Sequence, residues 1–341
     1  MIFSRRNAYL IASVFLLFFT LSLYWLLFTS PSKTSVTKII TIKKGMNLRE
    51  ISALLKQEGI IRDELFFTGM ATVLGKKTKI KAGEYEFHTR MLPLEVLDYI
   101  VRGQVKRHLV TIAEGYTLSQ IAQLLWDLNI VEKEAFLLKT TSPAFISSLG
   151  LSHSAGSTLE GYLFPDTYHF IREMNPEEVI RMMVQRFKKA VGLDIDSEAS
   201  QLGITGKEAV ILASIIEKET SIPEEKPLIS AVFHNRLRKK IPLQSDPTVI
   251  YGIKNFNGNL TKEHLMKPTP YNTYLIQGLP PSPICNPGKG SLLAALSPAP
   301  VPYLYFVSKN DGSHYFSSDI EEHNRAVWKY QKKRSPREVL K

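Results

Sequence analysis

Residues 8–28, AYLIASVFLLFFTLSLYWLLF, run without a single charge. About 20 such residues are enough to cross the hydrocarbon core of a bilayer as a helix. This run limits the chain more than any other feature: the segment belongs in lipid, and the rest folds on one side of it. Arg5 and Arg6 precede the run, which favours a cytoplasmic N-terminus. Tyr24 and Trp25 lie towards its far end, where aromatic rings prefer the interface. The following LLFTSPSKTS has no good small-x-small cleavage site, so the reading is an uncleaved anchor rather than a signal peptide. Residues 1–7 are then a cytoplasmic tail, 8–28 a transmembrane helix and 29–37 a polar linker, and everything beyond is extracytoplasmic. The formal net charge of +11, from 43 Lys and Arg against 32 Asp and Glu, suits an anionic polymer, an anionic lipid surface or nucleic acid. No nucleic-acid-binding motif follows, so nucleic acid is not expected as a partner. Cys285 stands alone, which excludes a disulfide within the chain.

An internal repeat comes next. KKGMNLREISALLKQEGIIRDELFF (43–67) lies over AEGYTLSQIAQLLWDLNIVEKEAFL (113–137) without a gap. Gly45 matches Gly115, Leu48 matches Leu118, Ile51 matches Ile121 and Ile60 matches Ile130. Each copy follows a short strand-like run and opens with a helix-capping pair, Asn47 with Glu50 and Thr117 with Gln120. The apolar spacing beyond each cap is helical. Each copy therefore reads as strand, turn, helix. The pattern resembles a LysM-like module, a small fold that binds N-acetylated glycans; a repeated packing unit without a ligand fits the same residues. IKAGEYEF (80–87) and LPLEVLDYIVRGQ (92–104) complete the first unit.

Beyond residue 150 the composition changes. LEGYLFPDTYHF (159–170), AVFHNRLRKKIPLQSDPTVIYG (231–252) and TPYNTYLIQGLPPSPICNPG (269–288) are broken by Pro, Asn, Asp and Gly, yet rich in Tyr, Phe and Leu. Ordered loops of this kind suit a polar, ring-shaped substrate, since aromatic faces stack on sugar rings and amides bond hydroxyl and acetamido groups. They also suit a loop-rich core. Near the C-terminus, PYLYFVS and SHYFSS flank KNDG, a hairpin signal, and a polar helix from Asp319 closes the domain.

Between these strings lies TGKEAVILASIIEKET, with Thr205 and Glu208 as a capping box. At about 100° per residue, Glu217 shares a face with Gly206, Val210, Ala213 and Ser214, while Glu219 points about 200° away. The two acids cannot form a carboxylate dyad. The small neighbours of Glu217 fit two arrangements: a groove that admits a ligand, or a stripe on which another helix packs.

The single anchor, the LysM-like part and five strings (LEGYLFPDTY, ASIIEKET, VFHNRL, LQSDPTVIYG and YNTYLIQGLPPSPICNPG) resemble, in one order, the endolytic murein transglycosylase or YceG-like family. The resemblance implies an α+β fold: an N-terminal transmembrane helix, a LysM-like α/β repeat region over 38–150, then a loop-rich α+β catalytic domain over 151–341. It implies a bacterial inner-membrane enzyme, its catalytic domain periplasmic or otherwise extracytoplasmic, acting on nascent peptidoglycan glycan strands beside membrane-bound peptidoglycan synthases. The acid of ASIIEKET is catalytic in the family, and this role is expected of Glu217. Asp166, Gln244, Asp246, Asn272 and Tyr274, from the polar strings, are expected to line its cleft. Glu219 is expected to support the structure by pairing with Arg236. No cofactor is implied. A pyridoxal-phosphate lyase reading is set aside because the domain lies outside the cytoplasm. No HExxH or close His cluster suggests a metal.

A single carboxyl suffices for this chemistry. The acid protonates the oxygen between MurNAc and GlcNAc, then takes the proton of the MurNAc C6 hydroxyl as that oxygen closes onto C1. The product is a 1,6-anhydro end, and no water is consumed. Such an acid has to start protonated, which burial favours. A hydrolase acting on the same bond would need a second carboxylate, with Asp166 and Asp246 the candidates. A non-catalytic wall tether is the third class. For topology the expected outcome is definite: a reporter that works only outside the cytoplasm, fused after Lys341, is active, and one that works only inside is silent.

Overall fold

The capped, amphipathic segments of the sequence become helices, and the strand-like runs become three short two-stranded sheets. The structure is a computed structural model that describes residues 5–151, 158–191 and 195–332. The start of the expected cytoplasmic tail and residues 333–341 of the expected C-terminal domain lie outside the described residues. The fold is mixed α+β and divides into two units, Met1–His108 with His169–Arg172, and Leu109–Tyr168 with Glu173–Lys341.

In the first unit, helix α1 (Arg5–Phe28) includes an 18-residue window, Ile11–Phe28, of mean hydropathy 2.2, none of it buried. Among the described helices it alone is long and apolar enough to cross a membrane. Strand β1 (Thr37–Ile42), helices α2 (Leu48–Gln57) and α3 (Glu64–Val73), strand β2 (Gly83–His88) and helix α4 (Pro93–Arg102) follow. β1 and β2 are antiparallel, with Ile40 opposite Tyr85 and Ile42 opposite Gly83. The alternation of β1 turns Ile40 and Ile42 inward, where Leu55, Ile60, Phe67, Phe87 and Ile100 close over them. The Asn47 side chain accepts the Arg49 and Glu50 amides, and Glu50 returns a bond to the Asn47 amide, the capping box expected from the sequence.

Strand β3 (His108–Thr111) enters the second unit at Leu109, helices α5 (Leu118–Asp127), α6 (Lys133–Thr140) and α7 (Pro143–Ser148) follow, and β4 (Thr167–Phe170), the partner of β3, leaves it after Tyr168. The second copy of the repeat thus begins this unit, and Thr117 with Gln120 caps α5 as Asn47 with Glu50 caps α2. Helices α8 (Pro176–Val191), α9 (Ile195–Gln201) and α10 (Gly206–Glu219) come next. After a single 3₁₀ turn (Pro223–Glu225) the chain forms α11 (Lys226–Arg238), α12 (Asp246–Tyr251), α13 (Lys262–Met266) and α14 (Lys289–Leu296). The antiparallel hairpin β5 (Tyr305–Ser308) and β6 (His314–Ser317), then α15 (Ile320–Val327), complete it.

α10 is the central helix of this unit. All of Ala209–Ile216 is buried, and α9, α11, α12 and α14 pack around it. The small-residue stripe serves packing rather than a groove. The Ser214 hydroxyl donates to the Ile211 carbonyl and accepts the Ile284 amide at 3.0 Å, and the Cys285 thiol donates to the Ser214 carbonyl at 3.3 Å. Gly161 explains how LEGYLF approaches this helix: it takes φ +90°, and a Cβ there would stand 2.6 Å from Pro283 and 2.9 Å from Val210. A core test follows for the first unit. Leu55→Ala, at a fully buried position, should cost about 2–5 kcal/mol, whereas Val73→Ala, 88% exposed, should stay within about 0.5 kcal/mol of the parent on denaturant titration.

Candidate active site

The last turn of α10 presents its two acids to different surroundings. Glu217 faces α14. Its Oε2 accepts the Gly288 amide at 3.0 Å and the Ser291 hydroxyl at 2.6 Å, so it caps the first turn of a helix whose own N-cap residue is glycine. Lys226, at the start of α11, lies 3.3 Å from the same oxygen, and both side chains are only 8% exposed. Glu114 approaches Lys226 from the other side at 3.9 Å, and burial beside Glu217 raises its own carboxyl above the usual range. Every acceptor and donor around Glu217 is thereby engaged in joining α10, α11 and α14.

Glu219, on the opposite face, lines a cleft of about 390 Å³. The Ser245 hydroxyl donates to its Oε1 at 2.5 Å. Gln244, Asp246, Tyr274 and Arg236 line the same cleft, with Phe306, Val307, Ser308 and His314 of the hairpin and His323 of α15. The packed protein around the Glu219 carboxyl pushes it up to about 7; nearby Asp246 adds to the shift, while Ser245 and Arg236 oppose it. Asp246 accepts the Tyr274 hydroxyl at 2.6 Å, and burial with this bond raises the phenol. Gln244 sits in the left-handed region at φ 51°, its amide held by the Thr273 carbonyl at 3.0 Å. That conformation costs about 1–2 kcal/mol outside glycine and fixes the start of the Ser245–Asp246 turn.

Three of the five expected cleft residues, Gln244, Asp246 and Tyr274, are therefore gathered, but around Glu219 rather than Glu217. The other two are elsewhere. Asp166 is tied to Arg186, which lowers its carboxyl, and its backbone carbonyl accepts the Ile112 amide at 2.9 Å. Asn272 is fully buried; its side-chain NH₂ donates to the Leu265 and Lys267 carbonyls at 3.0 and 2.8 Å, and its Oδ1 accepts the Tyr274 amide. It shapes the loop that carries Tyr274. The expected Glu219–Arg236 pair also differs: no ion pair within 4 Å joins them among the described residues. Arg236 instead donates to the carbonyls of Leu304, Pro242 and Leu243 and to Gln244 Oε1, with its guanidinium over the Tyr305 ring. Bonds to several fixed carbonyls hold a buried guanidinium as well as one anion does, and they leave Glu219 without a counter-ion to pull its proton off.

Sequence reasoning missed Ser245, His314 and His323. Ser245 stood inside the quoted LQSD string. The two histidines belong to a hairpin and helix read as closing structure, and nothing in their local pattern signals a cleft wall. Among the described residues, no group of three or more His, Cys, Asp or Glu is placed to hold a metal ion.

Comparison with known proteins places this arrangement in context. A family model described as the YceG-like family matches residues 40–329. The chain is 32% identical over 312 residues to an endolytic murein transglycosylase of Bacillus subtilis (strain 168), covering 88% of this chain and 86% of that protein. It is 32% identical over 325 residues to an endolytic murein transglycosylase of Streptococcus pneumoniae (strain ATCC BAA-255 / R6), covering 87% of this chain and 58% of that longer protein. A crystal structure of a yceG-like protein from Listeria monocytogenes is similar with a TM-score of 0.58 and 31% identity, covering 86% of this chain and all of that one.

The two acids should separate on stability. Glu217→Gln leaves Lys226 buried without its main anion, at a cost of about 3 kcal/mol. Glu219→Gln should behave otherwise. Folded Glu219 keeps its proton to about pH 7, while the unfolded chain releases it near 4.5, so this group favours the fold at low pH and that advantage is lost as pH rises from 4.5 to 7. Melting curves at pH 5 and pH 8 should show the parent losing stability relative to Glu219→Gln at the higher pH.

Proposed function

Because the chain belongs to the YceG-like family, we propose that it is an endolytic murein transglycosylase that uses Glu219, not Glu217, as its proton donor. The observation that carries this assignment is the Glu219 carboxyl, its proton affinity raised by burial, in a cleft shared with Gln244, Asp246, Tyr274 and Arg236. The Glu217 oxygens are instead taken up by Gly288, Ser291 and Lys226. A general acid must be protonated at working pH and open to its substrate, and of the two carboxyls Glu219 fits both requirements.

The substrate is the glycan strand of peptidoglycan. Glu219 gives its proton to the oxygen between MurNAc and GlcNAc, and the C1–O bond breaks with oxocarbenium character at MurNAc C1. The carboxylate left behind stabilises that centre. The MurNAc C6 oxygen closes onto C1, giving a 1,6-anhydro end, and its hydroxyl proton passes to a base of the cleft. The amide of Gln244 and the phenol of Tyr274 are suited to hydroxyl and acetamido groups, and Phe306 and Val307 put apolar surface on the hairpin side. A hydrolase remains the second reading, favoured by one observation: Asp246 is a second carboxylate in the same cleft. Its bond from the Tyr274 hydroxyl leaves it less suited to activate water.

Outside the cleft, α1 is read as an uncleaved anchor in the bacterial inner membrane, with a cytoplasmic N-terminus and the catalytic unit outside. The order β1–α2–α3–β2, closed by one antiparallel pair, supports the LysM-like reading of the first unit and a role in holding glycan. Peptidoglycan synthases that make the nascent strand are its expected partners at the membrane.

Release of muropeptides by purified variants, read by mass spectrometry, tests the proposal. Glu219→Gln should lose about 10²–10⁴ in rate while melting as a folded protein. Parental activity should fall as pH rises through about 7, where Glu219 loses the proton it must donate. Anhydro ends identify a transglycosylase, and free reducing ends the hydrolase. Parental activity in Glu219→Gln would overturn the assignment.

A further inference from the structure

Deprotonation of the C6 hydroxyl needs an acceptor, and the cleft holds a group built for it. His314, the first residue of β6, lines the cleft from the hairpin side, while Glu219 lines it from the end of α10. The Nδ1 of His314 lies 2.6 Å from Glu225 Oε2, and the other oxygen of Glu225 accepts the His314 backbone amide at 2.8 Å. Thr220, the residue after Glu219, donates its hydroxyl to Glu225 at 3.2 Å. Glu225 therefore grips both the ring and the main chain of His314, and is itself tethered to the end of the helix that carries Glu219. The His314 and Glu225 side chains are 12% and 11% exposed. Of the two neutral tautomers, a carboxylate on Nδ1 selects the one in which Nδ1 carries the hydrogen and Nε2 the lone pair. Among the described residues Nε2 takes no hydrogen bond. Phe306 and Phe316 set their rings against the imidazole at 5.4 and 6.4 Å and hold its plane.

We propose that His314, oriented by Glu225, is a second catalytic residue that takes the proton of the sugar C6 hydroxyl while Glu219 supplies the proton to the leaving oxygen. This rests on the reading of Glu219 given above. The step balances without a co-reactant. The C1–O bond to the leaving sugar breaks and its oxygen takes the Glu219 proton. The C6 oxygen forms the new bond to C1, and its proton passes to Nε2. The enzyme is left with a carboxylate and an imidazolium, and one proton transferred through solvent restores both. Two groups on separate walls allow donation and acceptance to proceed together, which a single carboxyl cannot do. The blander role for this pair is a staple that fastens the hairpin to the Pro223–Glu225 turn, and the test has to separate the two.

The full-length protein, assayed on isolated glycan strands, provides it. His314→Gln should lower kcat by about 10²–10⁴ with KM changed less than about twofold, and the residual product should still carry anhydro ends. In His314→Ala, added imidazole should restore part of kcat, because a free base can occupy the vacated space; a staple would not be restored this way. Glu225→Gln keeps the imidazole but loses its orienting charge, and should also lower kcat at nearly constant KM. Melting curves accompany each variant, and if the His314 substitutions do not fold, Glu225→Gln decides. A parental kcat in the folded His314 variants, or in Glu225→Gln where that variant decides, overturns the proposal, as does a loss in His314→Ala that imidazole leaves untouched. Glu219→Gln is run alongside. If it is inactive while the His314 variants match the parent, only this inference fails; if it is active, the reading of the cleft itself fails.

Discussion

The second unit depends on one buried side chain, Asn286, and the carboxyl it holds. Asn286 Oδ1 accepts the amides of Gly161 and Leu163, and its NH₂ donates to the Tyr116 carbonyl and to Glu160. Glu160 in turn accepts the Leu118 amide at the start of α5 and the Tyr251 hydroxyl from α12. Segments around residues 116, 160, 251 and 286 are thus joined at one point by direct hydrogen bonds. Burial pushes the Glu160 carboxyl up to about 8, which keeps it protonated and removes the cost of an uncompensated buried charge. Unsatisfied polar groups at this depth would each be expensive, so the network either forms as a whole or not at all.

With that frame in place, α10 can carry two acids of opposite purpose two residues apart. The helical repeat turns Glu217 towards α14 and Lys226, where charge is matched and bound. It turns Glu219 towards a cleft whose only nearby cation, among the residues that shift it, is Arg236, already committed to carbonyl oxygens. Similar sequence context yields an anchored carboxylate on one side and a protonated acid on the other. The difference lies entirely in what faces each side chain.

That difference explains what could be read from the sequence and what could not. Periodicity and capping residues made α2, α5 and α10 legible to their first residues, because caps are local chemistry: Asn47, Thr117 and Thr205 each bond an amide two or three residues on. The Asp311–Gly312 hairpin was legible for the same reason, with Gly312 at φ +89°. The divergence of Glu217 and Glu219 also followed from helical geometry. Which of the two faces a cleft did not, since it depends on α14 and the Ser245 turn, brought in from 74 and 26 residues away. Of the polar residues in the unusual strings, the structure gathers Gln244, Asp246 and Tyr274 in one cleft, beside Glu219 rather than Glu217, while Asn272 and Asp166 bond within the framework. Composition cannot tell an amide that waits for a ligand from one that bonds its own backbone.

The hairpin that bears His314 also has a consequence in time. The cleft draws its walls from residues 219, 244, 246, 274, 306–308, 314, 323, 327 and 331, so one side comes from residues made about 90 or more positions after the acid. A partly synthesised or truncated polypeptide can contain α10 and still lack an enclosed Glu219, whose raised proton affinity comes from enclosure. The cleft around Glu219 is enclosed only once the hairpin and the segment after it have folded against α10.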